Sequence, residues 1–381
     1  MAFVAGNLAL LLWSGIKAGG DTGIYLDGAT ALLSGQALTE RQPSYLGYIA
    51  VVAAFQAVGA GLTGVVIGQL AAATAAAWAV YRMAVEIGGR LAGGLAVLLF
   101  AVDVNTNRWH AYILSDSLFM SFLTVAVWLV YRAGVPGPKP QAPSPKPQAP
   151  SLKPYASASV VLLAAGLIRP EGWFVVPAAI TYWVAKLDGS AGRRLTMLAG
   201  GALACAALYV VIAPRLGGNL EAVGPAEMLR RGQTIWDYDG WRVPMPDDAA
   251  WSSQKGSAAA VMYAVRHPLG TAALMSARLA VHAAHVRPFY SMTHNLMIAA
   301  WLLPVYAAAV AGAWGARRQA LVWWCGIAVA TQALVVALTH ADWDGRYLGH
   351  VMPLIYPCAA CGLAALLHRA VPTVHDKLAA L

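Results

Sequence analysis

Long apolar runs dominate the chain, and polar segments interrupt them at intervals. Runs such as LAGGLAVLLFAV, LFMSFLTVAVWLVY and NLMIAAWLLPVYAAAVAGAW are apolar on every face. They approach or reach the roughly 20 residues that a helix needs to cross a bilayer. The alternation of apolar and polar residues that marks a membrane barrel is missing. The pattern predicts an all-α fold, a polytopic membrane helical bundle of about 10 to 11 spans.

Composition supports this prediction and limits the classes of partner. Apolar residues make up 59% of the chain and charged residues 11%, whereas about a quarter of a soluble domain is charged. The net charge of +9 lies mostly in short segments between apolar runs, where cations set topology, so nucleic acid is not expected as a partner. All four cysteines fall inside predicted helices and are interpreted as core residues. The first apolar run has no basic start or cleavage site, and we expect it to stay as the first span.

A proline-rich linker divides the chain. Residues 134–154 read GVPGPKPQAPSPKPQAPSLKP and contain PKPQAPS twice, a density of proline that favours an extended conformation. The predicted organisation is an N-terminal transmembrane half (1–133) with the first external loop, a cytoplasmic Pro/Lys-rich linker (134–154), and a C-terminal transmembrane half (155–381) with a long external loop (215–292).

The positive-inside rule gives each segment a side. It places the linker, Arg132, Lys186, Arg317/Arg318 and Arg369 in the cytoplasm. The predicted C-terminal spans lie near 155–168, 172–187, 194–213, 295–314, 320–339 and 347–368. Residues near 272–290 are interpreted as a surface or half-membrane helix. The opening loop and residues 340–346 are then external.

The spans between residues 45 and 104 do not fit this assignment of sides directly. Apolar stretches near 45–60, 62–81 and 91–104 precede the polar cluster DVNTNRWHAYILSD (103–116), and three crossings would place that cluster inside. The last stretch is short, about 21 Å as a helix, so we expect it to be re-entrant or bent. We therefore expect the cluster to be external.

Under this topology nearly every acidic residue lies on the external face. Polar groups at helix ends are costly unless they are paired or hydrated, so a cluster drawn from distant segments suggests a cavity. The candidates are Asp21, Asp27, Asp103, His110, Asp116, Arg169, Glu171, Arg287, Asp342, Asp344 and Arg346.

The stretch GGDTGIYLDGATALLSG (19–35) holds two aspartates with different expected roles. Asp21 can cap a helix running from Thr22 to Leu33, or it can be functional. Tyr25 lies four residues on and shares its face. Asp27 turns away and is interpreted as solvated or structural.

The polar helix entrances each allow a structural and a functional interpretation. His110 and Asp116 could form a solvated helix entrance with a cap, or bind a divalent metal or a polar substrate. Arg169 could pair locally with Glu171 or bind phosphate through its two-pronged guanidinium.

The late segment HADWDGRYLGHVMPL (340–354) has the same ambiguity. Arg346 and Tyr347 could contact an anionic head group, or belong to an interfacial belt with a snorkelling arginine. The long external loop (215–292) is rich in Trp, Tyr, Asp and Arg. This composition is typical both of carbohydrate or lipid-head recognition and of a membrane-facing loop, so it does not by itself indicate a function.

In their order and common sidedness, these motifs resemble the glycosyltransferase C (GT-C) superfamily, particularly the protein O-mannosyltransferase and lipid A aminoarabinose transferase group. GGDTGIYLDGATALLSGQAL is similar to the family's first external loop, with Asp21 at the position of the acid. YILSDSLF, LIRPEG and DGRYLGHVMPL resemble its second acidic stretch, its Arg-Pro turn and its late Arg-Tyr element. The family often has a second acid directly after the first, and here Thr22 stands in that place.

The resemblance implies a GT-C fold with external juxtamembrane helices, in a bacterial inner (plasma) membrane with the site facing the periplasm or exterior. It implies transfer of a sugar from a polyprenyl-phosphate donor to a hydroxyl on a glycan, lipid or protein acceptor, with inversion. Membrane lipids are the other expected partners.

The same resemblance implies roles for individual residues. Asp21 would be the general base, and a divalent metal (Mg, Mn or Zn) could be bound near Asp116 and His110. The implied substrate-binding residues are Tyr25, Asp116, His110, Arg169, Arg287, Arg346 and Tyr347.

Two alternatives remain open. A secondary transporter or flippase of a lipid-linked or anionic substrate would also carry charges at helix ends, although it should show inverted repeats and charges at mid-membrane. A non-catalytic membrane scaffold is the other.

Overall fold

Helices make up almost all of the described structure. The computed structural model describes residues 2–39, 41–135, 153–186, 225–247 and 256–370, and within these ranges β structure is limited to isolated bridges. The main helices are α1 (Ala2–Ser14), α2 (Thr22–Leu33), α3 (Leu46–Ala57), α4 (Gly61–Val102), α5 (Ser115–Ala133), α6 (Lys153–Ile168), α7 (Val175–Lys186), α8 (Gly256–Arg266), α9 (Pro268–Ala284), α10 (Met292–Gly315), α11 (Ala320–Leu338) and α12 (Met352–Ala370). The predicted all-α class is confirmed.

Several of these helices can cross a membrane. Within the described ranges, α4, α5, α10 and α11 are long and apolar enough to do so, and α1 and α6 are shorter apolar helices. Large apolar side chains point outward, among them Leu12 and Trp13 at 86% and 84% exposed. Such surfaces are unfavourable in water and suit contact with lipid. The chain is a multi-pass membrane protein.

The element α4 is a helical hairpin. Its helical geometry breaks at Gly88 and Gly89, and Gly89 has a φ of +81°, which glycine adopts without the strain that a Cβ would add. Beyond the break the chain doubles back, because a Cβ on Gly93 would collide with side chains of the preceding arm. The arms 61–87 and 90–102 therefore run in opposite directions.

The hairpin brings the polar cluster 103–116 back to the end of the bundle at which the first arm of α4 begins. Gln69 Nε2 donates to the carbonyls of His110 and Tyr112, both at 2.9 Å. At the other end of the arm, the Ile87 carbonyl accepts from Gln319, at 3.0 Å. The Thr22 hydroxyl donates to the Ile113 carbonyl at 3.0 Å. The opening loop and the cluster 103–116 thus meet at one end of the bundle, called here the site end, as expected.

The opening loop and the cluster 103–116 lie at the same end of the bundle for a different reason from the one expected. Residues 91–104 were expected to be re-entrant or bent, but they form the returning arm of the hairpin. Instead, the stretch 45–60 does not cross. The Tyr48 hydroxyl donates to Gln69 at 2.9 Å, and Gly47 packs against the last residues of α6, so α3 lies at the site end. An apolar helix of 12 residues is too short to span a bilayer, and it is covered here by other helices.

The opposite end of the bundle carries the cations predicted to be cytoplasmic. Tyr131 donates to Glu86 at 3.1 Å, and Gly134 packs beside Lys186. We call this the basic end; it holds Arg90, Arg132, Lys186, Arg317 and Arg318. One boundary of the predicted organisation is different, because α6 begins at Lys153, inside the predicted linker. The predicted span 194–213 lies outside the described residues.

Both halves of the chain contribute to one hydrophobic core. Buried residues of α4 and α5 form a single cluster with residues of α6, α10, α11 and α12. Trp324 illustrates the contact, because its indole N–H donates to the Val127 carbonyl at 2.9 Å. The linker therefore joins two parts of one bundle, and residues from both halves can meet at the site end.

Candidate active site

Asp21 directly precedes α2 but does not cap it. Its side chain makes no hydrogen bond to the first turn of the helix. Its two oxygens lie instead 3.2 Å from Arg346 Nη1 and 3.5 Å from Arg41 Nη1. Thr22 makes the local bond, because its hydroxyl accepts from the Gly19 N–H at 2.8 Å. The cap interpretation of Asp21 is wrong, and its carboxylate faces the cluster.

The other residues of the opening helix lie as expected. The predicted helix Thr22–Leu33 is confirmed. Asp27 is exposed, consistent with a solvated acid. Tyr25 is fully buried, and its hydroxyl lies 3.1 Å from the Ser115 hydroxyl. The opening helix is thus joined to the start of α5.

Asp116 is the buried centre of the cluster. It lies in the first turn of α5 and is 1% exposed. Its Oδ1 accepts from Arg169 Nη1 at 2.7 Å and lies 2.9 Å from His350 Nε2. Its Oδ2 lies 3.8 Å from Arg346 Nη1 and has no hydrogen-bond partner in the structure. A buried carboxylate with this many cationic neighbours fixes their positions.

Arg169 joins Asp116 to Glu171. Its Nε and Nη2 donate to the two oxygens of Glu171 at 3.3 and 3.0 Å, so the expected local pair forms. Burial raises the pKa of Glu171, but the charge and the hydrogen bonds of Arg169 together with weaker contributions outweigh it, and the net shift is downward. Burial lowers the pKa of Arg169, and Asp116 and Glu171 outweigh it, so this pKa is raised. Arg169 and Glu171 are therefore both charged at neutral pH.

Arg346 links the two aspartates. Its backbone N–H donates to Asp342 Oδ2 at 2.7 Å, which fixes the start of the short helix Arg346–Gly349. Burial lowers the pKa of Arg346, but Asp116 and Tyr347 outweigh it, and the net shift is upward. Tyr347 presents its ring to the guanidinium groups of Arg169 and Arg346, at 5.6 and 5.9 Å. The predicted Arg-Tyr pair therefore belongs to the cluster.

Together these side chains form a row of alternating charge, which is partly exposed at one end and most deeply buried at Asp116 and Arg169. The row is Arg41, Asp21, Arg346, Asp116, Arg169 and Glu171. Side-chain exposure is 19% at Asp21 and 26% at Arg346, and only 1% at Asp116 and 3% at Arg169. The accessible part thus offers one carboxylate beside one guanidinium, held from behind by a buried network.

Two predicted site residues lie away from this row. Arg287 is fully buried, and its guanidinium donates to four backbone carbonyls, including Asp342 at 3.0 Å and Trp343 at 3.2 Å. It braces the loop that carries Arg346 and has no exposed surface for a phosphate. His110 lies 2.7 Å from the Ser117 hydroxyl and packs beside Phe100. Burial lowers its pKa to about 3.

The predicted metal at Asp116 and His110 gains no support from the donor set. Within the described ranges, no three His, Cys, Asp or Glu side chains are grouped so that they could hold a metal ion. Asp116 Oδ1 is taken by Arg169 and His350. A metal requirement stays a prediction, and no step below is routed through a metal.

The sequence interpretation missed His350 and Arg41, and it considered Ser115 only as a helix cap, a bond that Ser115 does not make. His350 follows Arg346 by four residues, the spacing that puts two side chains on one helical face, so the segment DGRYLGH did contain a signal. Ser115 directly precedes Asp116, and its hydroxyl accepts from Arg169 Nη1 at 3.2 Å. Arg41 lies 20 residues after Asp21 in a polar turn, and nothing in its local pattern indicated the contact.

No protein-family model and no curated protein match the sequence of this chain. Among the solved structures that do resemble it are two of one protein. They are structures of ArnT from Cupriavidus metallidurans, a lipid A aminoarabinose transferase of the GT-C superfamily. The apo structure gives a TM-score of 0.51 at 14% identity, covering 97% of this chain and 60% of that one. The structure bound to undecaprenyl phosphate gives 0.42 at 15% identity, covering 95% and 59%.

The chain spans about three-fifths of the length of ArnT, and at this level of identity the likeness concerns the fold. The all-α architecture of the described residues agrees with that likeness. The chain therefore has an all-α, multi-pass membrane fold like that of ArnT.

Proposed function

We propose that this protein is a membrane glycosyltransferase that moves a sugar from a polyprenyl-phosphate donor to an acceptor hydroxyl. One observation carries the proposal: the partly exposed pair of Asp21 and Arg346, at 3.2 Å, is held by a buried network from three distant parts of the chain. The sequence resemblance supplies the donor class, and the ArnT-like fold is consistent with it.

Asp21 is the general base of the proposed reaction. A base must lie within hydrogen-bond reach of the proton that it takes, and Asp21 is the acid of the row whose carboxylate is both partly exposed and beside an exposed cation. It takes the proton of the acceptor hydroxyl as that oxygen bonds to the anomeric carbon. The bond from that carbon to the phosphate oxygen breaks with its electron pair, and the polyprenyl phosphate leaves. Attack opposite the leaving group inverts the anomeric centre.

Arg346 holds the donor phosphate and stabilises the charge that develops on it. A guanidinium offers paired donors to phosphate oxygens, and fixed charge aimed at a developing anion is a strong source of catalysis. Arg169 lies behind it and acts by fixing Asp116, since its own side chain is only 3% exposed. Arg169 and Arg287 were first expected to bind phosphate. In the proposed mechanism they instead hold Arg346 in position.

The proposed setting follows from charge. The basic end faces the cytoplasm by the positive-inside rule, so the site end faces the periplasm or exterior of a bacterial inner membrane. The acceptor is a hydroxyl of a glycan, lipid or protein that reaches that face.

The test compares Asp21→Asn with Asp27→Asn. Both changes remove one carboxylate at equal size, Asp21 directly before α2 and Asp27 within it, and Asp27 is exposed. Transfer from a panel of polyprenyl-phosphate sugars is measured by mass spectrometry in membranes. We expect Asp21→Asn to lose on the order of 10² to 10⁴-fold in rate and Asp27→Asn to keep it.

Donor binding and thermal stability are measured on the same two variants. Asp21→Asn should keep its fold and bind the donor at least as tightly, because the carboxylate that competes for Arg346 is gone. Full transfer by Asp21→Asn, or an equal loss in both variants, would rule out the base assignment.

A further inference from the structure

Two arginines at the basic end share one tryptophan. Arg82, on the first arm of α4, lies 5.6 Å from the ring centre of Trp128 on α5, and Arg132 lies 5.6 Å from the same ring. Arg82 is also 5.3 Å from the ring of Trp78. Trp128 is 2% exposed, whereas Trp78 is 53% exposed on the outer surface of the bundle. One arginine from each of two helices thus contacts the same buried ring, and Arg82 also contacts the exposed ring of Trp78.

Neither arginine has a counter-ion. In the part of the chain that the structure describes, no carboxylate lies within 4.0 Å of either guanidinium and neither donates a hydrogen bond. Glu86, one turn beyond Arg82, accepts from Tyr131 instead. This contrasts with the site end, where each arginine of the charge row pairs with an acid. Among the described residues, two positive charges on one ring are thus left without a paired acid, and like charges repel each other.

The depth of Arg82 makes an anion favourable there. Arg82 precedes the helix break at Gly88 by six residues, roughly 9 Å along the axis. Arginine at such a depth is costly, and the side chain extends toward the head groups. Contact with aromatic faces offsets part of this cost but leaves the N–H groups without acceptors. The phosphate oxygens of lipid head groups are acceptors found at that level.

We propose that Arg82 and Arg132, seated on Trp128, bind the phosphate of an anionic phospholipid in the leaflet at the basic end. Basic pockets between helices on the cytoplasmic side bind such head groups. Trp78 packs beside the acyl chains. The site lies at the basic end and the charge row around Asp21 lies at the site end, so binding at the basic end can be measured without the proposed transfer reaction.

The experiment measures binding of phosphatidylglycerol to the purified, delipidated protein by native mass spectrometry, with phosphatidylcholine for comparison. The test variant is Arg82→Gln with Arg132→Gln. The matched control is Arg317→Gln with Arg318→Gln, which removes the same charge from the same end. A third variant, Arg82→Lys with Arg132→Lys, keeps the charge. Thermal unfolding of all four proteins confirms folding.

We expect preferential binding of phosphatidylglycerol to the wild type, about thirtyfold weaker binding in the glutamine variant, and near wild-type binding in the control and lysine variants. Equal binding of both lipids by the wild type would overturn the site. So would an equal loss in the Arg317/Arg318 control, which would reduce the effect to net charge. Inorganic phosphate that displaces the lipid at millimolar concentration would show a site for free phosphate instead.

Discussion

Arg169 is the residue on which the charge row depends most. It alone pairs with both Asp116 and Glu171, and it is almost completely buried. Removing one partner of a buried ion pair costs more than the pair contributes, because the remaining charge has lost its water and gained no other partner. Here two carboxylates would be left.

Arg169→Met should therefore destabilise the protein by about 3 to 5 kcal/mol. The control is Arg231→Met, which breaks an exposed pair with Glu227 and should cost less than about 1 kcal/mol. Thermal unfolding in detergent compares the two. Similar losses in both variants would show that the row is not a buried network.

At this scale the sequence was informative about residue types and less so about partners. Residue spacing correctly separated exposed Asp27 from Asp21. Residue spacing could not exclude a helix cap at Asp21, because an aspartate directly before a helix can either cap that helix or pair with a distant arginine. The contact of Asp21 with Arg346 joins residues 325 positions apart, and no local pattern contains that distance.

The short element that carries Arg346 is positioned by a glycine. Gly345 has a φ of +73°, and a Cβ there would overlap the imidazole of His285. His285 itself ends α9 in a left-handed conformation. The turn before Arg346 and the end of α9 are thus packed without room for a side chain.

Gly345→Ala should lower both transfer activity and thermal stability, because the turn or the imidazole has to move. The double variant with His285→Ala removes the overlap and should recover most of the loss, leaving a strain of about 1 to 2 kcal/mol from the left-handed backbone. A double-mutant cycle on unfolding measures the coupling. If the double variant loses the sum of the two single effects, the packing argument fails.

Element by element, hydrophobic pattern predicted the C-terminal helices well, since α6, α7, α10, α11 and α12 all lie within a few residues of their predicted spans. It failed for α3. An apolar helix covered by other helices has the same composition as a short span, so the pattern could not show that α3 stays at the site end.

The protein as a whole should lose stability on mild acidification. Burial, and then the Arg287 charge, lower the pKa of His285 to about 3. Burial, and then the Arg278 charge, lower that of His340 to about 4. An unfolded histidine has a pKa near 6.5, so between about pH 6.5 and 4 the unfolded chain binds more protons. Stability therefore falls as the pH falls, by about 2 kcal/mol for each histidine at pH 5.

Thermal unfolding measured between pH 7 and pH 5 checks this. His340→Gln should reduce the slope of melting temperature against pH, and His368→Gln, an exposed histidine near the end of α12, should leave it unchanged. A slope that is the same in all three proteins would contradict the role of the buried histidines.

The turn at Gly88 and Gly89 also bears on how the chain enters the membrane. A two-residue connection keeps the start of the second arm of α4 within a few ångströms of the end of the first. The second arm, with only 13 residues (90–102), is also short for a span on its own. The two arms must therefore insert together as a preformed hairpin. That single event fixes the side of the membrane on which the polar cluster 103–116 emerges. It takes place before most of the residues that pair with this cluster have been synthesised.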